Sequence, residues 1–167
     1  MIYVNKLDEK NLNKFNDFMN NYVKKRDKKF IISKIKYNVP IEKEIIEKSI
    51  EQLKNNSITN YDKNYFYIEF HQKNNYFDEK VNNLKEFTWH KDDGAVTNYN
   101  VYTIIFYIRK DYSVKGGDFK YKIKGKEYTH CVKKGDIILF RGDLIHKPTE
   151  TFGFGCRDSI IVFIKRV

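Results

Sequence analysis

The first third of the chain carries apolar residues at helical spacing. One run predicts an amphipathic helix over about residues 8–26, and its apolar positions are Leu12, Phe15, Met19, Tyr22 and Val23. Pro40 suits the first turn of a second helix, where a missing backbone N–H does no harm. The apolar face of this second helix would carry Ile41, Ile45, Ile46 and Leu53. We expect both faces to pack against a sheet, and a cofactor role for them is not favoured.

From about Tyr61 the pattern changes to short β-type runs separated by Gly, Asn and Asp. The predicted strands are Tyr65–His71, Glu86–Asp92, Asn100–Arg109, Asp118–Lys124, Glu127–Val132, Asp136–Phe140, Leu144–Lys147 and Cys156–Lys165. Helices followed by strands predict an α+β fold in which the strands form a sandwich or jelly roll. We expect one domain over residues 1–167, with N-terminal helices (about 1–60) packed on a jelly-roll core (about 61–167). The mouth of such a roll brings together residues from non-adjacent strands, so the chemistry is expected there.

The amino-acid composition limits which classes of protein the chain can belong to. With 41% apolar and 16% aromatic residues, the chain is globular rather than disordered. No stretch approaches the ~18 uninterrupted apolar residues of a membrane span, so no membrane partner is expected. The start of the chain lacks the apolar core of a secretory signal, which favours the cytoplasm or another reducing intracellular compartment. Cys131 and Cys156 are expected to be free thiols there.

The formal net charge of +10 raises the question of a nucleic-acid partner. The excess is mostly lysine, and it is spread along the whole chain. A solvated, lysine-rich exterior is therefore favoured over a dedicated nucleic-acid surface.

His90 and Asp92 are the most informative residues of the chain. In an extended segment, residues two apart project from the same face, so the imidazole and the carboxylate would point together. His146, delivered by a later strand, would complete the set of two histidines and one carboxylate that holds Fe(II) and leaves positions open. A chance His-x-Asp has odds of about one in four, and an ordinary core histidine is the alternative for His146.

Arg157 opens the last apolar strand and could hold the far carboxylate of a diacid co-substrate. A surface ion pair is the alternative for this residue. Ser159 shares its face by strand parity. Asp93 is expected to be a turn or supporting residue, and His71 and His130 are interpreted as ordinary residues because neither has a partner carboxylate at metal spacing.

These residues resemble the Fe(II)- and 2-oxoglutarate-dependent oxygenases, and within them the prolyl hydroxylases of the hypoxia-sensing type. The resemblance covers roughly residues 86–165. The matching segments are Trp89-His90-Lys91-Asp92, Tyr102 to Asp111, Gly116-Gly117-Asp118-Phe119, Gly135 to Phe140, His146, and Arg157 ahead of an apolar strand. The family fold that this implies is a double-stranded β-helix, a form of jelly roll.

The resemblance also implies residue roles and cofactors. It makes His90, Asp92 and His146 the iron ligands, and Arg157 and Tyr107 the residues that grip the distal carboxylate of 2-oxoglutarate, with Ser159 beside them. Strand parity puts Tyr107 on the face of Thr103 and Ile105, although one more core tyrosine is the alternative. The cofactors would be Fe(II), 2-oxoglutarate as co-substrate and O2, with ascorbate as an additional reductant. Ile161 departs from the pattern, because the hypoxia-sensing enzymes carry a hydroxyl residue there.

The expected function is a dioxygenase that hydroxylates a protein or peptide side chain, with proline favoured. One alternative is a nucleic-acid oxidative demethylase of the same superfamily. That group typically carries a second arginine six residues after the first, where this chain has Phe163. Another alternative is a non-catalytic jelly-roll module that binds metal. The oligomeric state cannot be predicted from the sequence.

Overall fold

The computed structural model describes residues 1–22, 29–32, 40–74, 88–95 and 97–167. Its two helices are α1 (Glu9–Tyr22) and α2 (Pro40–Asn55). Its strands are β1 (Ile2–Lys6), β2 (Lys29–Ile32), β3 (Tyr61–Asn74), β4 (Val101–Lys110), β5 (Lys115–Gly116), β6 (Phe119–Ile123), β7 (Lys126–His130), β8 (Asp136–Arg141), β9 (Ile145–Pro148), β10 (Thr151–Phe152) and β11 (Cys156–Arg166).

Two antiparallel sheets form the β part of the molecule. The larger sheet has the strand order β1-β8-β4-β11-β3-β2, and the smaller has the order β7-β6-β9. A third, two-stranded pairing joins β10 to β5. An isolated bridge between His90 and His146 extends the smaller sheet beyond β9. The fold is α+β, as predicted.

The central strand β4 separates two apolar cores. Its residues Ile104 and Phe106 point toward the helices, and the edge of the Phe15 ring meets Phe106 at 6.0 Å between ring centres. The alternate residues Ile105 and Tyr107 point into the space between the two sheets. Because both faces of β4 are covered, its first eight residues are buried, which explains the unbroken apolar run.

The helix predictions are confirmed where the structure describes them. Asp8 caps α1, since its Oδ1 accepts a hydrogen bond from the backbone N–H of Asn11 at 2.9 Å. This backbone bond, followed by the Asn11 side chain, lowers the pKa of Asp8 to about 2. The predicted end of the first helix at residue 26 lies outside the described residues. Pro40 begins α2, as predicted.

Most predicted strands are present with ends shifted by a few residues. The strand predicted at Glu86–Asp92 is the exception: residues 86–87 lie outside the described part, and residues 88–92 contain only the bridge at His90. The reason is that Asp92 donates its N–H to the Gly142 carbonyl, and the chain turns directly afterwards. Strand β1 was not predicted, because its partner β8 is distant in the sequence.

Neither helix in the described residues is long and apolar enough to cross a membrane. Cys131 is exposed and Cys156 is buried, and no disulfide joins them, as predicted.

Asp136 ties three strands together at the start of β8. Its carboxylate accepts hydrogen bonds from the Lys6 ammonium, from His130 Nε2 at 2.8 Å and from the Lys133 backbone at 2.8 Å. Burial raises the pKa of Asp136, but these donors outweigh burial and hold the pKa below its usual range. The side chain is 2% exposed, so its loss would leave buried donors unpaired.

We expect Asp136→Ala to lower the free energy of unfolding by about 3 kcal/mol at neutral pH. Because the folded pKa is depressed, this contribution is present above the ordinary pKa of 3.8 and is lost as the pH falls through the lower folded value. Urea denaturation measures both effects. Asp17→Ala, on the exposed face of α1, is the control and should cost less than about 0.5 kcal/mol. Equal stability of the two variants would contradict the prediction.

Candidate active site

His90, Asp92 and His146 meet between the two sheets. Their ligand atoms all lie within 4.8 Å of one another. Oδ1 of Asp92 is 3.7 Å from Nε2 of His90 and 3.6 Å from Nε2 of His146. Among the residues that the structure describes, this is the one group with metal-ligand spacing. Two imidazole nitrogens and a carboxylate oxygen, with Asp92 and His146 buried, form a donor set that suits Fe(II).

Backbone carbonyls orient both imidazoles. Nδ1 of His90 lies 2.9 Å from the Thr88 carbonyl, and Nδ1 of His146 lies 3.0 Å from the Leu144 carbonyl. A carbonyl oxygen can only accept, so each Nδ1 must carry the proton. Each Nε2, which lies 3.7 or 3.6 Å from Oδ1 of Asp92, then keeps the lone pair that a metal-ligating histidine needs.

Thr103 orients the carboxylate of Asp92. Its hydroxyl donates to Oδ2 of Asp92 at 2.7 Å, which leaves Oδ1 facing the two histidines. Thr103 stands on β4, on the face predicted by parity with Tyr107. Through this hydrogen bond, strand β4 of the larger sheet fixes the orientation of the candidate ligand Asp92.

The loop that carries Asp92 is held by a close approach at Gly142. Asp92 and Asp93 both donate backbone N–H groups to the Gly142 carbonyl, at 2.8 and 3.1 Å. A Cβ on Gly142 would lie 2.3 Å from Oδ1 of Asp93, so a side chain there is excluded. That Oδ1 accepts from the Val101 N–H, and Oδ2 of Asp93 accepts from Arg166. Asp93 is therefore a turn-supporting residue, as expected.

The surroundings of His146 favour its neutral form. Burial lowers the pKa of His146, and the charge of Asp92 opposes this without reversing it. Phe119 stacks on the ring at 5.3 Å between centres, and Phe140 meets it edge-on at 4.6 Å. An uncharged imidazole is the form that binds a metal ion.

We expect Thr103→Val, which keeps the shape but removes the hydroxyl, to weaken Fe(II) binding about 10- to 100-fold. The reason is that the Asp92 carboxylate would lose its orienting donor. Thr103→Ser keeps the donor and serves as the control, with affinity close to that of the wild type. Anaerobic Fe(II) titration is the measurement, and equal affinities of the Val and Ser variants would refute the orienting role.

Arg157, Tyr107 and Ser159 gather on the same face of the larger sheet. The guanidinium carbon of Arg157 lies 5.7 Å from the centre of the Tyr107 ring. Ser159 is the direct cross-strand neighbour of Tyr107. All three are at least 95% buried. Burial raises the pKa of Tyr107 to about 12, while the Arg157 charge acts in the opposite direction, so the phenol keeps its proton as a donor.

The guanidinium of Arg157 is only partly satisfied by the protein. Nη1 donates to the Gly117 carbonyl at 3.1 Å, whereas the buried Nε has no hydrogen-bond partner among the described residues. Nε and Nη2 share the edge of the guanidinium that Nη1 leaves free, and this edge matches the two oxygens of a carboxylate. A buried, unpaired donor is costly, which points to a ligand at this edge.

Sequence reasoning predicted His90, Asp92, His146, Arg157, Tyr107 and Ser159 as site residues, and the structure brings the first three together and the last three together. It missed the groups that orient them. The missed groups are Thr103 as partner of Asp92, the Thr88 and Leu144 carbonyls, and the close approaches at Gly142 and Gly117. Strand parity was the one available signal, and it placed Thr103 on the correct face. His71 and His130 lie outside the metal group. The expectation that neither has a partner carboxylate is wrong, because His71 bonds to Glu69 at 2.6 Å and His130 to Asp136 at 2.8 Å. Neither pair gains a third ligand among the described residues.

Comparison with known proteins gives matches by structure alone. No protein-family model matches the chain, and no curated protein sequence is significantly similar. A prolyl-4-hydroxylase of Pseudomonas putida superposes with a TM-score of 0.68 at 10% identity, covering 99% of this chain and 92% of that one. The viral collagen prolyl hydroxylase of Paramecium Bursaria Chlorella virus-1 gives 0.61 at 16% identity, covering 99% and 90%. HygX of Streptomyces hygroscopicus, solved with nickel and 2-oxoglutarate bound, gives 0.64 at 11% identity, covering 99% and 82%. The chain thus adopts the double-stranded β-helix fold of the 2-oxoglutarate- and iron-dependent oxygenases.

Proposed function

We propose that the protein is an Fe(II)- and 2-oxoglutarate-dependent dioxygenase that hydroxylates a protein or peptide side chain, with proline as the favoured target. The observation that carries this proposal is the convergence of His90, Asp92 and His146, whose ligand atoms lie within 4.8 Å of one another. The fold supports it independently of the site residues.

The residues assigned to iron are His90, Asp92 and His146. Two imidazoles and one carboxylate would hold the ion and leave coordination positions for co-substrate and O2. When bound, iron and 2-oxoglutarate supply the oxidation, in which O2 places one oxygen atom on a C–H carbon while 2-oxoglutarate leaves as succinate and CO2, with ascorbate available as a reductant. The rings of Phe119 and Phe140 exclude water from the buried side of His146.

The residues assigned to 2-oxoglutarate are Arg157, Tyr107 and Ser159. Arg157 would bind the distal carboxylate through the edge carrying Nε and Nη2, and the Tyr107 hydroxyl would add a neutral donor. The buried and unpaired Nε supports this assignment. Gly117 keeps the guanidinium in place through its carbonyl.

We expect Gly117→Ala to weaken 2-oxoglutarate binding about tenfold. The added Cβ would lie 2.8 Å from Cδ of Arg157, so the guanidinium must shift. Gly125→Ala is the matched control, because Gly125 also has positive φ but its Cβ would meet no atom within 4 Å. Both variants carry the backbone strain, and only the first should lose affinity in a 2-oxoglutarate titration. Equal affinities would disprove the role of Gly117.

The proposed activity is tested with purified protein supplied with Fe(II), 2-oxoglutarate and O2. Succinate should form, and it should form faster in the presence of substrate. The target is found by mass spectrometry of cellular proteins with and without the active enzyme, as a gain of one oxygen on proline. Protein that binds iron but never forms succinate would be a metal-binding module, and the proposal would be rejected.

The demethylase alternative is not favoured. The position where that group carries a second arginine is Phe163, which is buried with its ring 5.8 Å from that of Tyr67. No cationic group can act from that position. A reducing intracellular compartment suits the proposed activity, because ferrous iron and the two thiols persist there.

A further inference from the structure

Strand β3 turns a polar pair toward the candidate active site. Its residues Phe66, Ile68 and Phe70 belong to the core under the helices. The alternate residues Glu69 and His71 therefore project from the opposite face of the sheet. That is the face on which Thr103, Tyr107 and Ser159 stand.

The strand register places this pair beside the proposed co-substrate pocket. Ser159 of β11 lies directly between Tyr107 of β4 and His71 of β3. One step along the same face, Ile161 lies between Ile105 and Glu69. Neighbouring strands are about 4.8 Å apart, so the backbone of the pair is about 10 Å from that of Tyr107 and Ile105. An extended peptide spans that distance with about three residues.

The pair places a carboxylate on this face that the proposed reaction does not use. His71 Nε2 lies 2.6 Å from Oε2 of Glu69, whose side chain is 11% exposed. A histidine donates this bond without the permanent positive charge of lysine or arginine. Lys165 of β11 also stands on this face, and its ammonium lies 4.0 Å from Oδ2 of Asp62.

Aromatic rings continue the same face of β3. The Tyr67 ring packs against Phe163, and burial followed by the Glu69 charge raises the pKa of its phenol. Next along the strand, the Lys165 ammonium lies 5.9 Å from the centre of the Tyr65 ring. The face therefore already accommodates one ammonium group of the protein itself.

We propose that Glu69, held by His71, is a specificity-determining residue that selects peptide substrates with a lysine or arginine close to the oxidised residue. This inference rests on the proposed function. The exposed lysines of the protein oppose a basic peptide, but salt screens them beyond about 8 Å, whereas a largely buried carboxylate is screened much less. A charge-assisted hydrogen bond to Glu69 would then determine the preference.

The test measures binding of synthetic peptides that have a central proline and lysine, glutamine or glutamate at each neighbouring position. Binding is followed by fluorescence anisotropy with Mn(II) and 2-oxoglutarate in place, without turnover. Lysine peptides should bind wild-type protein at least about tenfold more tightly than glutamate peptides. Glu69→Gln should bring this ratio close to one, and Glu69→Lys should invert it. Glu127→Gln, on the exposed strand β7, is the matched control and should keep the wild-type ratio.

Two results would overturn the inference: wild-type protein without a preference for lysine, or Glu69→Gln with the full preference. Thermal unfolding and 2-oxoglutarate titration of Glu69→Gln should match the wild type, which separates charge recognition from misfolding. Failure of the proposed function looks different, since wild-type protein supplied with Fe(II), 2-oxoglutarate and O2 would then form no succinate, whether or not it binds the metal. That outcome would remove the basis of the inference as well.

Discussion

Asp92→Ala should reduce Fe(II) affinity by more than about 100-fold, beyond the 10- to 100-fold typical of losing an outer partner. The carboxylate is the one anionic donor at the centre, and the two imidazoles alone neither balance the charge of the ion nor complete the set. The visible absorption band of the iron–2-oxoglutarate complex should disappear under anaerobic titration. Succinate formation should be lost with it.

The matched control for this prediction is Asp143→Ala. Asp143 lies in the turn before β9, half exposed and paired with Arg141 at 2.7 Å. Its replacement should leave iron affinity unchanged, because surface ion pairs contribute little. The folded state of Asp92→Ala should persist, since among the described residues the Thr103 hydroxyl is the one hydrogen-bond donor that the carboxylate leaves unpaired. Iron affinity within tenfold of the wild type in Asp92→Ala would show that the centre is not a metal site of this kind.

Arg157→Ala should weaken 2-oxoglutarate binding about 100-fold while Fe(II) affinity changes little. The affinity falls because two charge-assisted hydrogen bonds to 2-oxoglutarate are lost. The shorter side chain also leaves an open space beside Gly117. Isothermal titration of 2-oxoglutarate into the metal-loaded protein gives the affinity directly. The metal is held by His90, Asp92 and His146, so metal binding should not depend on the guanidinium.

Two conservative variants separate the contributions of charge, donor geometry and the phenol to 2-oxoglutarate affinity. Arg157→Lys keeps the positive charge but loses the planar pair of donors, and it should cost about tenfold. Tyr107→Phe removes a single neutral donor and should also cost about tenfold. An unchanged affinity for 2-oxoglutarate in Arg157→Ala would remove Arg157 from the pocket, whatever the result for iron.

The spacing of apolar residues predicted those elements in which each face is clearly either buried or exposed. The apolar periodicity of α1 and the unbroken run of β4 were readable because each follows directly from which side is buried. The edge strand β1 carried no such signal, since it exists through its ladder with β8. The segment around His90 carried a misleading sequence signal. Its alternation predicted a strand, yet the described part forms one bridge and a turn.

The candidate site divides in the same way. Parity placed Thr103, Tyr107 and Ser159 on one face, and residue type alone suggested two histidines with a carboxylate. The orienting contacts could not be predicted, because they join groups far apart in sequence. The bond from Thr103 to Asp92 and the close approach of Gly142 to Asp93 are examples.

By itself, the sequence determined the alternation of apolar and polar positions, and with it the α+β class, the buried faces of the elements and the residue types available for chemistry. The tertiary structure decided which of those residues meet. His90 faces His146 because the two residues pair at the edge of the smaller sheet, and the buried Nε of Arg157 has no partner among the described residues. The physical reason is range: periodicity reports what each residue does relative to its neighbours, whereas a binding site depends on distances between strands that local sequence does not encode.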